Sequence, residues 1–87
     1  MAEKVTGWFV YIVECADGSL YTGTSNNVTE RVVKHNQGKG AKYTRLRGPV
    51  KLVYSEAYSD RSAACQRESV IKKLTRLQKI ELISTGN

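Results

Sequence analysis

The sequence predicts a small α+β domain with three strands and three helices in the order β-β-α-β-α-α. Runs rich in β-branched and aromatic residues at 9–13, 20–24 and 50–58 have the composition of strands. Capping signals at Asn27, Asp60 and Thr75 each precede a segment with a helical stripe of apolar residues. Because the chain has 87 residues, we expect a single domain over 1–87 with a core at about 7–84.

The first two strands are expected to form a hairpin around Asp17-Gly18. Residues 9–13 are an unbroken apolar run, which suits a central strand covered on both faces. Residues 20–24 are short and β-prone, so they form the return strand.

The length of the hairpin loop decides where two tyrosines point. A two-residue loop places Tyr11 opposite Thr24 and sends Tyr21 to the other face of the sheet. A three-residue loop, with Gly18 as a G1 bulge, places Tyr11 opposite Gly23 and puts both phenols on one face, about 7 to 8 Å apart. In that register Gly23 leaves space beside the Tyr11 ring. The residues alone leave both registers open.

The first helix begins at Asn27, which is followed three residues later by a glutamate, as in a capping box. Val28, Val32 and His35 fall on one stripe of this helix, and Arg31 precedes His35 by one turn. For His35 alone, a cap at the helix end is the alternative interpretation.

The second half of the chain supplies the third strand and two more helices. Residues 37–48 are glycine-rich and predict a loop that Pro49 ends. The third strand covers 50–58, and its expected faces are Val50, Leu52 and Tyr54 on one side and Val53 on the other.

The second helix is expected to run from the cap at Asp60 to about Leu74. Glu68 lies four residues after Ala64 and three before Ile71, so it points toward the sheet. An ion pair with Arg31 or another basic group is the structural alternative for this acid.

Thr75 and Gln78 form a second capping box that starts the last helix. Its apolar residues are expected to dock on the sheet, and the end at 86–87 is expected to fray. The docking residues are Leu77, Ile80, Leu82 and Ile83.

The charge is strongly basic and unevenly placed. Fourteen basic and eight acidic residues give +6, and the segment from Arg31 to Ser55 holds seven basic residues and no acid. A surface of one sign favours a polyanion such as nucleic acid, although a solvated loop is the plainer interpretation. Arginine, glycine and a tyrosine alternate with the lysines, which favours nucleic acid. The predicted interface residues are Lys34, Lys39, Lys42, Tyr43, Arg45 and Arg47.

Composition argues against several other classes. No signal-peptide pattern precedes residue 8 and no apolar run is long enough to cross a bilayer, so we expect a cytoplasmic protein without a membrane partner. Cys15 and Cys65 are far apart in a chain without secretory features, so reduced thiols are expected. These cysteines and His35 are too scattered for a zinc site.

Several motifs together resemble the GIY-YIG nuclease superfamily over nearly the whole chain. Phe9-Val10-Tyr11 is followed by Tyr21-Thr22-Gly23, with the two tyrosines ten residues apart. Arg31, His35 and a helix-borne Glu68 follow in order. The segments LYTGTSNN, HNQGKGAKYT and RESVIKKL are most similar to small stand-alone bacterial members. The sequence departs from excision-repair members at Thr24, where those carry a lysine.

The resemblance implies an α+β fold in which a three-stranded antiparallel sheet is flanked by helices. It also implies hydrolysis of a phosphodiester with a single Mg²⁺ or Mn²⁺ ion. By position, Tyr11 helps to activate the nucleophile and Tyr21 orients it. Arg31 binds the scissile phosphate, His35 assists proton transfer, and Glu68 holds the metal. One carboxylate suits Mg²⁺, which keeps waters and takes phosphate oxygens as further ligands.

Two functions follow as hypotheses. The first is an endonuclease that cuts DNA, at branched or damaged structures in repair or recombination, with a protein partner as a means of targeting. The second is a nucleic-acid-binding module of the same fold that does not cut. RNA is the alternative polyanion for both, because nothing in the sequence indicates whether a 2′-hydroxyl is recognised.

Overall fold

A computed structural model describes residues 7–85 as one sheet with helices on both faces. The strands are β1 (Trp8–Glu14), β2 (Leu20–Ser25) and β3 (Lys51–Tyr58). The helices are α1 (Val28–Asn36), α2 (Lys42–Arg45), α3 (Arg61–Lys72) and α4 (Arg76–Thr85). The sheet is antiparallel in the order β2-β1-β3, so the α+β class and the three-stranded sheet are confirmed.

The central strand β1 separates two small hydrophobic cores. Val10 and Ile12 face α3 and pack with Ala64 and Ile71, and part of α4 closes this core. The alternate residues Tyr11 and Val13 face the other way. They pack with Val28 and Val32 of α1. The four β1 residues from Val10 to Val13 are at most 1% exposed, as expected for a strand covered on both faces.

The hairpin adopts the three-residue loop of the two predicted alternatives. Tyr11 pairs with Gly23 and Val13 pairs with Tyr21, so both phenols lie on the α1 face of the sheet. Gly18 has φ of 85°, in the left-handed region, and its N–H donates to the Cys15 carbonyl at 2.9 Å.

The predicted faces of β3 are wrong because the strand contains a bulge. Ile12 pairs with Tyr54, yet the next residue, Val13, pairs with Leu52, so one residue of β3 is unmatched. The extra residue reverses the alternation, and Tyr54 joins the α3 core while Leu52 stays on the α1 side, 44% exposed.

Two further predictions need correction. The segment 37–48 is not all loop, because α2 forms within it around the buried Thr44. Leu77 and Ile80 do not dock on the core as predicted, since they are 78% and 42% exposed, whereas Leu82 and Ile83 pack against it as expected. The expected frayed end at 86–87 lies outside the described residues.

The predicted helix caps are all formed. The Asn27 side chain accepts the Glu30 N–H at 3.1 Å, and the Asp60 side chain accepts the Ala63 N–H at 2.8 Å. Thr75 and Gln78 bond each other reciprocally at the start of α4. Cys15 and Cys65 are both free. Within residues 7–85, no helix has the length and apolar character needed to span a bilayer.

Candidate functional site

Three of the five predicted catalytic side chains meet on the α1 face of the sheet. The Tyr11 hydroxyl lies 2.9 Å from Nε2 of His35, although the two residues are 24 positions apart. The His35 ring also contacts Tyr21 edge-on, with 5.4 Å between ring centroids. Strand register places the two phenols, and α1 places the imidazole above them.

His35 is held from its other side by the segment after α1. Its Nδ1 lies 2.7 Å from Oγ1 of Thr44 and 3.4 Å from the Ala41 amide nitrogen. A Cβ at Gly40 would come within 2.2 Å of Nδ1, so only glycine leaves room for this ring. Thr44 and Gly40 were missed by the sequence analysis, because neither residue type by itself signals contact with a distant histidine.

The environment of His35 does not fit the alternative of a helix-end cap. The side chain is 1% exposed, and both ring nitrogens have partners inside the protein. Burial lowers the pKa of His35, and the charge of Arg31 lowers it further. The imidazole is therefore neutral at pH 7 and able to accept a proton.

Tyr11 is buried next to a cation. Burial raises the pKa of its hydroxyl, and the guanidinium of Arg31 acts against that rise. The space predicted beside Gly23 is filled by the Tyr11 ring itself, since a Cβ there would lie 2.5 Å from the hydroxyl oxygen. Gly23 therefore allows the phenol to lie flat over β2 and reach His35.

Arg31 brings an unused donor to this cluster. Its Nε is buried and, among the described residues, has no hydrogen-bond partner. An unsatisfied buried donor costs about 1 to 3 kcal/mol, more when it is charged, so Arg31 is held here at a cost in free energy.

Glu68 reaches the edge strand β2 from α3, on the face of the sheet opposite the two tyrosines, because its partner Thr24 lies on the same face as Val10. Both of its carboxylate oxygens are engaged. Oε1 accepts from Oγ1 of Thr24 at 2.5 Å, and Oε2 pairs with Nζ of Lys72 at 2.8 Å. Burial raises the pKa of Glu68, but the bonds from Lys72 and Thr24 outweigh burial and lower it overall. The predicted ion-pair alternative is thus met by Lys72, not by Arg31.

Lys72 connects Glu68 to the tyrosine cluster. Its Nζ lies 5.8 Å from the centroid of the Tyr21 ring. The charge of Glu68 is also among the causes that raise the pKa of Tyr11, so the carboxylate and the phenol share one electrostatic environment.

The donor set fits a hydrated divalent ion rather than an ion enclosed by protein. Among residues 7–85 no three acidic, histidine or cysteine side chains come close enough to hold a metal. Glu68 supplies one carboxylate, across the sheet from the tyrosines. Mg²⁺ is commonly bound in this way, by one carboxylate together with waters and substrate phosphate oxygens.

The predicted nucleic-acid residues divide into an anchored pair and a free group. Tyr43 stacks on Tyr21 with 5.8 Å between centroids, and the Arg47 guanidinium lies over the Tyr43 ring, 4.1 Å from its centroid. Arg47 also pairs with Asp17 at 3.3 Å. The remaining side chains are exposed around α1 and α2: Lys34, Lys39, Lys42 and Arg45.

A groove of about 700 Å³ runs along the start of α1 and is lined in part by Phe9, Val28 and Leu52. None of the five predicted catalytic residues lines this groove. Tyr11 and His35 are each 1% exposed, so the groove is a separate feature from the tyrosine cluster.

Comparison with known proteins adds independent evidence. Residues 7–81 match the family model described as the GIY-YIG catalytic domain. A UPF0213 protein of Staphylococcus epidermidis is 59% identical over 78 residues, which cover 90% of this chain and 95% of that protein. A UPF0213 protein of Clostridium perfringens is 58% identical over 77 residues, covering 88% of this chain and 83% of the relative.

Two solution NMR structures resemble this chain in fold and sequence. One is the UPF0213 protein from Bacillus halodurans, with a TM-score of 0.60 and 46% identity, covering 92% of this chain and 85% of that one. The other is a protein from E. faecalis, with a TM-score of 0.61 and 41% identity, covering 98% and 90%. The chain therefore belongs to the GIY-YIG nuclease superfamily, among the small bacterial proteins named UPF0213.

Proposed function

We propose that this protein is a metal-dependent endonuclease that hydrolyses phosphodiester bonds of DNA. The observation that carries the proposal is the buried bond between the Tyr11 hydroxyl and His35, formed next to the guanidinium charge of Arg31. The catalytic residues proposed are Tyr11, Tyr21, Arg31, His35 and Glu68.

Tyr11 and His35 form a path for the proton of the attacking water. The imidazole is neutral, and we place its proton on Nδ1, which then donates to Oγ1 of Thr44 at 2.7 Å. The reason is that the one hydroxyl proton of Thr44 is donated to the Ala41 carbonyl at 3.0 Å, so Thr44 can only accept from His35. The Ala41 N–H, which lies 3.4 Å from Nδ1, then makes no hydrogen bond to that atom. Nε2 is then free to accept from Tyr11, so the phenol can pass one proton to His35 as it takes another from water.

Arg31 binds the phosphate whose ester bond breaks. A guanidinium donates strong charge-assisted bonds to phosphoryl oxygens, and its charge opposes the negative charge that grows in the transition state.

Glu68 is the residue that would hold a divalent cation, Mg²⁺ or Mn²⁺. When bound, such an ion stabilises negative charge on the phosphate and on the leaving oxygen. Tyr21 packs against both His35 and Tyr43, so its phenol is fixed at the rim of the cluster, where it can orient the nucleophile.

The substrate is proposed to be DNA held by the exposed basic residues around α1 and α2. Net charge of +6 and seven basic residues without an acid between Arg31 and Ser55 support a polyanionic partner. Branched or damaged structures in repair or recombination are the proposed targets.

Cleavage by purified protein tests the proposal. Nicking of supercoiled and branched DNA is measured with Mg²⁺ and with EDTA, for the wild type, Glu68→Gln and Arg31→Met. We expect nicking with Mg²⁺ alone, and a loss of roughly 10² to 10⁴-fold in each variant. Glu81→Gln, a substitution of an exposed α4 acid, is the control for a general effect of losing one carboxylate. Equal rates in all four proteins would show that another enzyme or another site is responsible.

A binding module that does not cut is the second candidate, and the ion pair of Glu68 with Lys72 favours it. In that case the carboxylate has only a structural role, and the fold binds nucleic acid without a metal. DNA titrations with and without Mg²⁺ separate the two functions: affinity unchanged by Mg²⁺, together with no cleavage, would support the module. The same titration with RNA tests the alternative polyanion.

A further inference from the structure

Lys72 occupies the one carboxylate that the proposed function assigns to a metal ion. Its ammonium group lies 2.8 Å from Oε2 of Glu68, one helical turn earlier on α3. The same ammonium lies 5.8 Å from the ring centroid of Tyr21. Lys72 therefore stands between the carboxylate and the tyrosine cluster, at the centre of the candidate site.

This pair differs from an ordinary exposed pair on a helix surface. Most i,i+4 pairs are solvated at both ends and matter little. Here the Glu68 side chain is 19% exposed and is fixed through its other oxygen by Thr24 of β2. The Lys72 side chain is 49% exposed, so its ammonium group has solvent beside it and is not part of the core. The ammonium group can therefore leave the pair at less cost than the carboxylate can.

A divalent cation and an ammonium group compete for such a carboxylate. Mg²⁺ binds carboxylate oxygens at about 2.0 to 2.1 Å and demands near-ideal geometry. Two cations on one carboxylate would also repel each other across a few ångströms in a partly buried site. Binding of the ion at Glu68 thus requires Lys72 to leave or to find another anion.

We infer that Lys72 is a positioning residue that keeps the Glu68 carboxylate oriented and neutralised until a divalent cation and a substrate phosphate arrive together. This inference rests on the proposed role of Glu68 as the metal ligand. The phosphate gives the displaced ammonium a new partner beside Tyr21. Metal binding to the free protein is therefore weak and becomes tighter on nucleic acid.

Direct metal binding tests the inference without cleavage. Mn²⁺ is titrated into isotopically labelled protein without DNA, and broadening of the amide signals near residues 24 and 68 gives the affinity. The wild type is compared with Lys72→Met, which keeps an unbranched apolar chain of similar length, and with Lys73→Met. Lys73→Met is the control, because Lys73 follows Lys72 in the chain and carries the same charge, whereas the ion pair with Glu68 is formed by Lys72. Glu68→Gln shows whether the broadening depends on that carboxylate.

We expect Lys72→Met to bind Mn²⁺ roughly tenfold more tightly than the wild type, and Lys73→Met to change affinity much less. Equal affinities of the two lysine variants would overturn the inference and leave the metal role of Glu68 standing. If the broadening is absent, or if it persists in Glu68→Gln, then Glu68 does not bind the metal ion. The inference about Lys72 would then fail as well. Amide spectra of each variant without metal confirm that the fold is intact.

Discussion

Two glycines determine how closely the catalytic candidates can approach each other. Gly23 lies under the Tyr11 phenol, and a Cβ there would meet its hydroxyl oxygen at 2.5 Å. Gly40 lies against the His35 ring, where a Cβ would meet Nδ1 at 2.2 Å and Cγ at 2.8 Å. Each contact is far shorter than packed atoms allow, so the bond between Tyr11 and His35 depends on both glycines.

Substitution of Gly40 tests this dependence at the scale of one methyl group. Gly40→Ala should displace the imidazole, cost about 1 to 3 kcal/mol of unfolding free energy, and lower any cleavage rate with it. Gly48→Ala is the matched control, because a Cβ there meets no atom within 4 Å. Urea unfolding and the nicking assay measure both effects. If Gly40→Ala is as stable and as active as Gly48→Ala, His35 does not need its observed position.

At the scale of residues, the sequence predicted which side chains form the candidate site but not the contacts that hold those side chains in place. Tyr11, Tyr21 and His35 were identified from order and spacing, and the structure brings these three into contact. Thr44 was not identified, because its contact with His35 depends on how α2 folds back on α1. The roles assigned to the five catalytic candidates remain predictions.

At the scale of elements, one carboxylate joins the third strand to the third helix. Glu56 of β3 accepts from Arg67 of α3 at 2.9 and 3.1 Å, from Tyr58 at 2.6 Å, and from Tyr54. Burial acts to raise the pKa of Glu56, but the hydrogen bonds from Arg67 and the two tyrosines lower it to about 2. This network fixes the helix that carries Glu68.

Acid should weaken the protein through Glu56. The folded-state pKa of about 2 lies below the ordinary value of 4.5. The unfolded chain therefore binds the proton first, and stability is lost as the pH falls from about 5 to 2. One pKa unit corresponds to about 1.4 kcal/mol, so the loss has an upper bound of about 3 kcal/mol.

Thermal unfolding at a series of pH values measures this contribution. We expect the melting temperature of the wild type to fall below pH 5, and that of Glu56→Gln to fall less over the same range. Parallel curves for the two proteins would show that other groups cause the acid sensitivity.

The short helix α2 connects the basic segment to the tyrosines proposed as catalytic. The Tyr43 ring of α2 stacks on Tyr21 and lies 4.1 Å from the Arg47 guanidinium, and Arg47 is tied to Asp17 in the hairpin loop. Tyr43 is also 40% exposed. We expect the stacked ring to orient Tyr21.

Removal of the stacked ring should reduce cleavage more than DNA binding. Aromatic pairs contribute about 0.5 to 1.5 kcal/mol, so Tyr43→Ala should slow single-turnover cleavage by roughly 3 to 10-fold. Tyr43→Phe keeps the stacking and should cleave at the rate of the wild type. A loss of DNA affinity of the same size in both variants would instead indicate that the hydroxyl contacts the substrate.

Local sequence signals correctly predicted the features that a few neighbouring residues determine. They failed for the features that tertiary contacts determine. The turn at Asp17-Gly18 and the caps at Asn27 and Asp60 are encoded within a few residues. The β3 bulge and α2 are not, since a four-residue helix has little stability of its own. Pairing with β1 and the burial of Thr44 determine these two features.

At the scale of the whole molecule, the basic segment and His35 share the same two elements. The basic segment between Arg31 and Ser55 includes the end of α1 and all of α2, which are the elements that hold His35. We therefore expect a polyanion that binds this segment to lie near the tyrosine cluster.

Salt dependence measures the number of phosphates that the protein contacts. The logarithm of the binding constant for duplex DNA falls by about 0.9 per neutralised phosphate for each tenfold rise in salt. Lys42→Gln should therefore reduce the slope by about 0.9. Arg61→Gln removes the same charge outside the basic segment and should leave the slope unchanged. Equal slopes for these two variants would place the DNA elsewhere.

The most direct test of the account is the effect of a single hydroxyl on the cleavage step. Single-turnover rates with Mg²⁺ are measured for the wild type, Tyr11→Phe and Tyr54→Phe. Tyr54 is the matched control, because its buried hydroxyl also bonds a side chain but lies in the α3 core. We expect the cleavage rate to fall by roughly 10² to 10⁴-fold in Tyr11→Phe and to change little in Tyr54→Phe. Equal rates in the two variants would contradict it.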